Sequence, residues 1–299
     1  MIYEEKEKIN GLIFNNFFTK NIAGEELKFL KNGKYLVKEV ICYGPSSIIF
    51  KGKDLETDEI IAIKQIEKYG VGDNVDDTYF LNEVNALKII SEKIKYSCKY
   101  KDHFETKRYN YIIMSYYDDD LQHYFDNNKK RGYKNLHPNL IKKIFKQLNE
   151  AFRELRNNNI IHRDIKPSNI FIKYTNVEKT DFDSILTWYK INTKSEGDES
   201  LMIGSPAFMA PEILKGNTYN NSMDLFSIGI TIYYLYFGKF PNSSNNSMLA
   251  LVKGPNLNFK IEEDRQLEDL IKKLLKATPD ERITWEEYFN HPFFSQYEY

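Results

Sequence analysis

The sequence predicts an α+β fold in two unequal lobes, a small strand-rich one followed by a larger helical one. Between Tyr35 and Met114, short runs enriched in β-branched and aromatic residues dominate. After residue 118 the apolar residues recur at helical spacing instead. A length of 299 residues is long for one average domain and short for two independent ones, which fits a single two-lobed unit.

Residues 1–33 are charged, with two short apolar patches, Leu12-Ile13-Phe14 and Phe17-Phe18, and read as an N-terminal extension that docks a helix. Strands are expected at Tyr35-Leu36-Val37, Ser47–Phe50, Ile60–Ile66 and Tyr109–Met114. One helix interrupts them, because Phe80, Leu81, Val84, Leu87 and Lys88-Ile89-Ile90 repeat at helical spacing. Residues 115–118 then form a hinge with a cleft beside it. The triple acid Asp118-Asp119-Asp120 reads first as a solvated helix start favoured by the dipole, and second as a contact for a ribose or a basic substrate. Leu140, Ile141, Ile144, Phe145, Leu148, Phe152 and Leu155 trace a long amphipathic stripe, and further helical periods cover 222–237, 266–276 and 284–289.

Composition excludes several classes of function. Forty-two basic side chains balance 43 acidic ones, so charge gives no case for nucleic acid or an anionic membrane surface. Cys42 and Cys98 are too few for a disulfide framework and lack metal-ligand spacing, which points to a reducing cytoplasmic or nuclear setting. The start, Met1-Ile2-Tyr3-Glu4-Glu5-Lys6, has neither a basic-then-apolar leader nor a glycine at position 2. The most apolar stretch, 226–240, is shorter than the roughly 20 residues a membrane span requires and reads as a buried core helix.

The segment that decides function is Ile161-His162-Arg163-Asp164-Ile165-Lys166-Pro167-Ser168-Asn169. An aspartate followed two residues later by lysine and five later by asparagine gathers a carboxylate, a cation and a metal-binding amide around one reacting hydroxyl. This run resembles the catalytic loop of protein kinases, in which the aspartate accepts the hydroxyl proton and the asparagine holds magnesium. Ile61-Ala62-Ile63-Lys64 is similar to the strand whose lysine holds the α- and β-phosphates, and Glu83, nineteen residues on, is its expected ion-pair partner. Ala210-Pro211-Glu212, Arg282 and Asp224 resemble the family's scaffold residues, so the likeness runs from about Tyr35 to Phe294.

The resemblance implies a two-lobed protein-kinase-like fold with a domain over 34–295, divided into an N-lobe at 34–115, a hinge at 115–118 and a C-lobe at 119–295, with a tail at 296–299. Lys166 and Gly204-Ser205-Pro206 resemble the serine/threonine branch, which implies signalling by phosphorylation of protein substrates. ATP is the implied cofactor, with Mg²⁺ or Mn²⁺. Asp164, Lys166 and Asn169 are the implied catalytic residues, and Ile41, Gly44, Ile49, Ala62, Lys64, Glu83, Met114, Ser115, Tyr117 and Phe171 the implied nucleotide-binding ones. Leu87, Tyr100, His162 and Tyr189 are the expected column joining the lobes. Arg163 before the catalytic aspartate resembles kinases whose activation loop is ordered by a phosphate, with Thr193, Ser195 and Ser200 as candidates.

Two departures from the family stand out. The nucleotide loop, which usually carries three glycines to bring backbone N–H groups near phosphate, here reads Cys42-Tyr43-Gly44-Pro45-Ser46-Ser47. Pro45 also deletes a donor. For the metal-binding D-F-G motif, two registers compete. Asp181-Phe182-Asp183 supplies an aspartate but puts Lys179 where the preceding strand is apolar and leaves 29 residues to Ala210. Trp188-Tyr189-Lys190 follows the strand-like Ile185-Leu186-Thr187, lies 22 residues before Ala210 and satisfies burial and spacing better. In that register Tyr174–Ser184 becomes an enlarged hairpin loop, Asn169 is left as the metal ligand, and an indole replaces a carboxylate that grips a hard cation. Asp181 is a metal ligand only in the first register. The expected behaviour is weak or metal-atypical kinase activity, or a pseudokinase that serves as scaffold or allosteric partner.

Overall fold

The computed structural model describes residues 18–22, 25–43, 47–68, 78–187, 205–216, 220–241 and 252–295. Gly44 to Ser46, Trp188 to Gly204 with the candidate phosphorylation sites Thr193, Ser195 and Ser200, and Tyr189 of the expected inter-lobe column lie outside the described residues. The chain divides into two compact units, residues 1–84 with 99–116 and residues 85–98 with 117–299.

In the first unit, alternation of apolar and polar residues produces an antiparallel sheet. Its strands are β1 (Phe18–Ile22), β2 (Glu25–Leu30), β3 (Tyr35–Tyr43), β4 (Ser47–Asp54), β5 (Ile60–Glu67), β6 (Tyr100–Glu105) and β7 (Tyr109–Ser115), in the order β1-β2-β3-β4-β5-β7-β6. The register pairs Phe50 with Ile63 and Ile63 with Ile113, so these three share a face, which buries them with Tyr35, Val37, Ile61 and Tyr111. Phe104 stacks on Tyr111 at 4.8 Å between ring centroids and extends that core. The opposite face of β4, β5 and β7 carries Ile49, Ala62, Lys64 and Met114, since Ile49 pairs with Lys64 and Ala62 with Met114.

The helix expected from the N-terminal extension is not what the described part of it forms. Residues 18–22 and 25–30 make β1 and β2, and β2 pairs onto β3 from Lys28 opposite Val37 to Leu30 opposite Tyr35. Phe29 and Leu30 are buried by this pairing, so an available sheet edge outweighs the local pattern. The return to β3 uses left-handed backbone at three consecutive residues, Lys31, Asn32 and Gly33 (φ 48, 56 and 94°). Lys31 Nζ donates to Asp102 on β6 at 2.5 Å, and the buried Tyr35 hydroxyl donates to the same carboxylate at 2.6 Å.

The first helix, α1 (Thr78–Lys93), falls where periodicity places it. In the second unit, α2 (Leu121–Lys130) begins at the acid triple: Asp120 is its N-cap and accepts from His123 N at 2.9 Å. Helix α3 (Pro138–Asn157) buries Ile141, Ile144, Phe145, Leu148, Phe152 and Leu155, the stripe read from the sequence except for Leu140, which is only partly buried. After α4 (Pro211–Leu214), the apolar stretch becomes α5 (Ser222–Phe237), buried on nearly every side. No helix among the described residues is long and apolar enough to cross a membrane. Gly229 lets α5 approach α6 (Arg265–Leu274) closely, because a Cβ there would lie 2.8 Å from Leu274 and Leu275 side-chain atoms. Gly238 (φ 70°) ends α5 in the left-handed conformation, its N–H donating to Tyr234 O at 2.8 Å. The last helix, α7 (Trp285–Phe289), opens on a capping box between Thr284 and Glu287.

A small sheet of β8 (Asp119–Asp120), β9 (Ile170–Tyr174) and β10 (Phe182–Leu186) follows the order β10-β9-β8. Phe182 to Ser184 are strand, not loop as expected, and the connecting turn is confined to 175–181. Phe182 is buried edge-on against Tyr124 at 5.0 Å and supplies the packing that extends the hairpin.

Candidate active site

The loop between α3 and β9 carries His162 to Asn169, and its geometry is set by a buried acid on α5. The Asp224 carboxylate accepts from His162 N at 2.8 Å and from Arg163 N at 2.9 Å. Arg163 is held at φ 68°, a conformation that costs a non-glycine residue free energy, and Asp224 holds both amides around it. Burial pushes the Asp224 carboxyl above the usual carboxylate range, against the pull of His162 and the two amides.

His162 fixes the loop from the other side. Its Nε2 donates to Thr187 O at 2.8 Å while Nδ1 accepts from Asp164 N at 3.3 Å, which assigns the proton to Nε2.

Three residues then converge around Asp164. Asn169 Nδ2 donates to the Asp164 backbone carbonyl at 2.6 Å and to Oδ2 at 3.0 Å. Lys166 Nζ lies 3.2 Å from Oδ2, and Ser205 N donates to Oδ1 at 3.2 Å. Lys166 Nζ also donates to Ser205 Oγ at 2.7 Å. The three residues expected to be catalytic are therefore brought together, each buried or half-buried. Ser205 was legible only as a marker of branch. Its contact with a carboxylate 41 positions away leaves no local signal.

In the first unit, Lys64 Nζ on β5 and Glu83 Oε1 on α1 form an ion pair at 2.5 Å, with both side chains largely buried. Of the other expected nucleotide contacts there, Ile49, Ala62 and Met114 share the Lys64 face, Ile41 on β3 is exposed, and Ser115 ends β7. In the second unit the Tyr117 ring packs on Phe171 at 5.7 Å.

The hairpin places the two candidate metal registers. Leu186 pairs with Ile170 and Phe182 with Tyr174, so Asp181 lies at the end of the hairpin away from Asn169, about 17 Å of strand later. There Asp181 accepts from Lys143 Nζ and from Thr175 Oγ1, at an exposed turn, and the structure does not bring it to Asn169. Thr187 instead donates to Asn169 O from both its backbone N–H and its hydroxyl. The next residue in the chain is Trp188. No group of three or more His, Cys, Asp or Glu able to hold a metal occurs among the described residues.

Elsewhere in the second unit, Arg282 and Glu212 form a buried two-pronged pair at 2.8 and 3.0 Å, and Arg282 Nη1 adds a bond to Ser222 O at 2.9 Å. This pair ties the segment before α7 to α4.

A strand-rich unit with a lysine–glutamate pair, and a helical unit whose loop gathers lysine and amide on one aspartate, define a two-lobed α+β fold of the protein-kinase kind. Residues 35–294 match the protein kinase domain, and the chain belongs to the eukaryotic-type serine/threonine protein kinase family. It is 32% identical over 295 residues to a protein of Acanthamoeba polyphaga mimivirus named as a putative serine/threonine-protein kinase, covering 88% of this chain and 64% of that one. Two Arabidopsis thaliana relatives are serine/threonine-protein kinase ATG1c, 29% identical with 88% of this chain and 36% of that one covered, and serine/threonine-protein kinase TIO, 32% identical with 87% and 19% covered. The chain thus spans less than two thirds of the length of these relatives.

Proposed function

We propose that this chain binds ATP and transfers its terminal phosphoryl group to serine or threonine hydroxyls of protein substrates, with an activity limited by an incomplete metal site. The observation that carries the reading is the convergence of Asn169, Lys166 and Ser205 on the Asp164 carboxylate. Asp164 orients the acceptor hydroxyl and takes its proton as the oxygen attacks the γ-phosphorus and the bond to ADP breaks. Lys166 neutralises charge on the phosphoryl in transfer, since its ammonium lies beside that carboxylate. Lys64, oriented by Glu83, holds the α- and β-phosphates, and the apolar Ile49, Ala62 and Met114 on the same sheet face take the adenine.

The residues fit a nucleotide better than they fit a divalent ion. Both Nδ2 contacts of Asn169 go to Asp164, which leaves Oδ1 to face a hard cation. Among the described residues no second carboxylate joins Asn169: Asp181 is committed to Lys143 and Thr175, and the residue after Thr187 in the sequence is a tryptophan.

The poor fit to a divalent ion favours a second reading, a pseudokinase that binds a protein partner through its folded shape without turnover. Two measurements separate the readings: thermal stabilisation by ATP with and without Mg²⁺ or Mn²⁺, and phosphoryl transfer compared with Asp164→Asn. Turnover that Asp164→Asn lowers at least about 1,000-fold, a barrier change of about 4 kcal/mol, supports the enzyme. Activity equal to that variant supports the pseudokinase.

A further inference from the structure

The start of α1, which carries Glu83 to Lys64, has a second foothold on the same sheet. Ile49, Lys64, Ile112 and His103 form one cross-strand row over β4, β5, β7 and β6, because Ile49 pairs with Lys64, Lys64 with Ile112 and Ile112 with His103. Directly paired residues share a face, so His103 stands on the face that carries Lys64. Phe80 and Glu83 lie three residues apart on α1 and therefore point to one side of it. Glu83 reaches Lys64, and the buried Phe80 meets the His103 ring at 6.1 Å between centroids.

The imidazole is fixed on its sheet side. The Tyr100 hydroxyl and His103 Nδ1 share a hydrogen bond of 2.6 Å, and the two rings pack at 6.0 Å. A pleated strand would send residues three apart to opposite faces, but a shift in the pairing register between Tyr100 and Asp102 brings both rings to the same one. The His103 backbone N–H donates to Asp102 Oδ1 at 2.8 Å, and Asp102 Oδ2 accepts from Lys31 and Tyr35. Both the ring and the backbone that bears it are thus tied down where Phe80 lands.

We infer that His103 is a positioning residue for phosphate binding: its ring, clipped by Tyr100 and packed on Phe80, sets the depth at which the first turns of α1 rest on the sheet, and so the meeting of Glu83 with Lys64. This rests on the proposed reading that Lys64 holds the α- and β-phosphates. Without the imidazole, Phe80 and the helix with it settle toward the sheet, and a misplacement of about 1 Å is enough to spoil an aligned contact. Lys64 then keeps its charge and loses its aim. The apolar adenine face is built from Ile49, Ala62 and Met114 on the strands themselves and does not depend on the helix.

The test is calorimetric titration of the whole chain with ATP and with adenosine, which has the base and no phosphate. His103→Ala should weaken ATP about tenfold and leave adenosine within about twofold of the parent, a coupling of the size found inside one contact network. Phe80→Leu, a smaller change on the helix side, should give the same split. In a Glu83→Ala background His103→Ala should add little further loss, since the orientation it protects is already gone. A merely structural role would weaken both ligands together. Equal losses for ATP and adenosine, or a tenfold loss of ATP affinity that persists in Glu83→Ala, overturn the inference while ATP binding stands. Lys64→Ala checks the underlying reading: ATP affinity that this variant leaves unchanged overturns the assignment of the phosphates to Lys64, and the inference falls with it.

Discussion

Thr187 is bonded twice to Asn169: its backbone N–H and its hydroxyl both donate to the Asn169 carbonyl at 3.1 Å. The end of β10 is thereby fastened to the loop that carries Asp164, and His162 holds the Thr187 carbonyl from the other side at 2.8 Å. The next residue in the sequence is Trp188, and in the register proposed above it stands where the family resemblance expects a carboxylate. The consequences for catalysis and stability can each be measured.

Asp102 joins β6 to the turn that follows β2. Asp102→Ala should destabilise the chain by about 1–3 kcal/mol, because it leaves the buried Tyr35 hydroxyl without its acceptor and removes the Lys31 pair. Lys31→Ala should cost less, about 1 kcal/mol or below, since Lys31 is exposed and removal strands no buried group. Urea titration of both variants checks the order, and an equal cost would contradict it.

The Arg282–Glu212 pair is buried and fully hydrogen-bonded, so removing one partner is the costly change. Glu212→Ala should lower stability by about 3–5 kcal/mol through an uncompensated guanidinium. Substituting both residues by apolar ones of similar volume should recover part of that loss, as a double-mutant cycle in denaturant would register.

His291 gives a pH signature. Burial lowers its imidazole pKa, against the opposing hydrogen bond from its Nε2 to Asp269 at 3.0 Å, with Lys273 adding to the lowering. The folded state thus binds the proton less readily than the unfolded chain. Its contribution is present above the ordinary histidine range near about 6.5 and is lost as pH falls through that value toward the depressed folded one. His291→Gln should flatten the fall in melting temperature between pH 7 and pH 5. An unchanged slope would place the acid sensitivity elsewhere.

Much of the fold was legible because burial imposes periodicity on the chain. The α3 stripe, the strands β3, β4, β5 and β7, and the apolar α5 all lie where the spacing of Ile, Leu, Phe and Tyr puts them. Strand β6, Tyr-Lys-Asp-His-Phe-Glu, carried no such signal: it has no β-branched residue, and pairing with β7 at the sheet edge makes it a strand. The pairing of β2 with β3 was equally invisible, because it depends on an edge that exists only after the sheet forms. At the site, motif spacing named Asp164, Lys166, Asn169, Lys64 and Glu83. The Ser205 and Thr187 contacts, 41 and 18 positions from their partners, belong to tertiary structure alone.

The loop around Asp164 is assembled, and on the proposed reading Trp188, next after Thr187, supplies no metal-gripping oxygen. The direct measurement is phosphoryl transfer as a function of Mg²⁺ concentration for the natural chain and for Trp188→Asp, with Asp164→Asn as the blank. Metal help of about 4 kcal/mol corresponds to roughly 1,000-fold in rate, so Trp188→Asp should raise the Mg²⁺-dependent rate by two to three orders of magnitude. A natural chain that already turns over with saturable Mg²⁺ dependence, at a rate the substitution leaves unchanged, would contradict it.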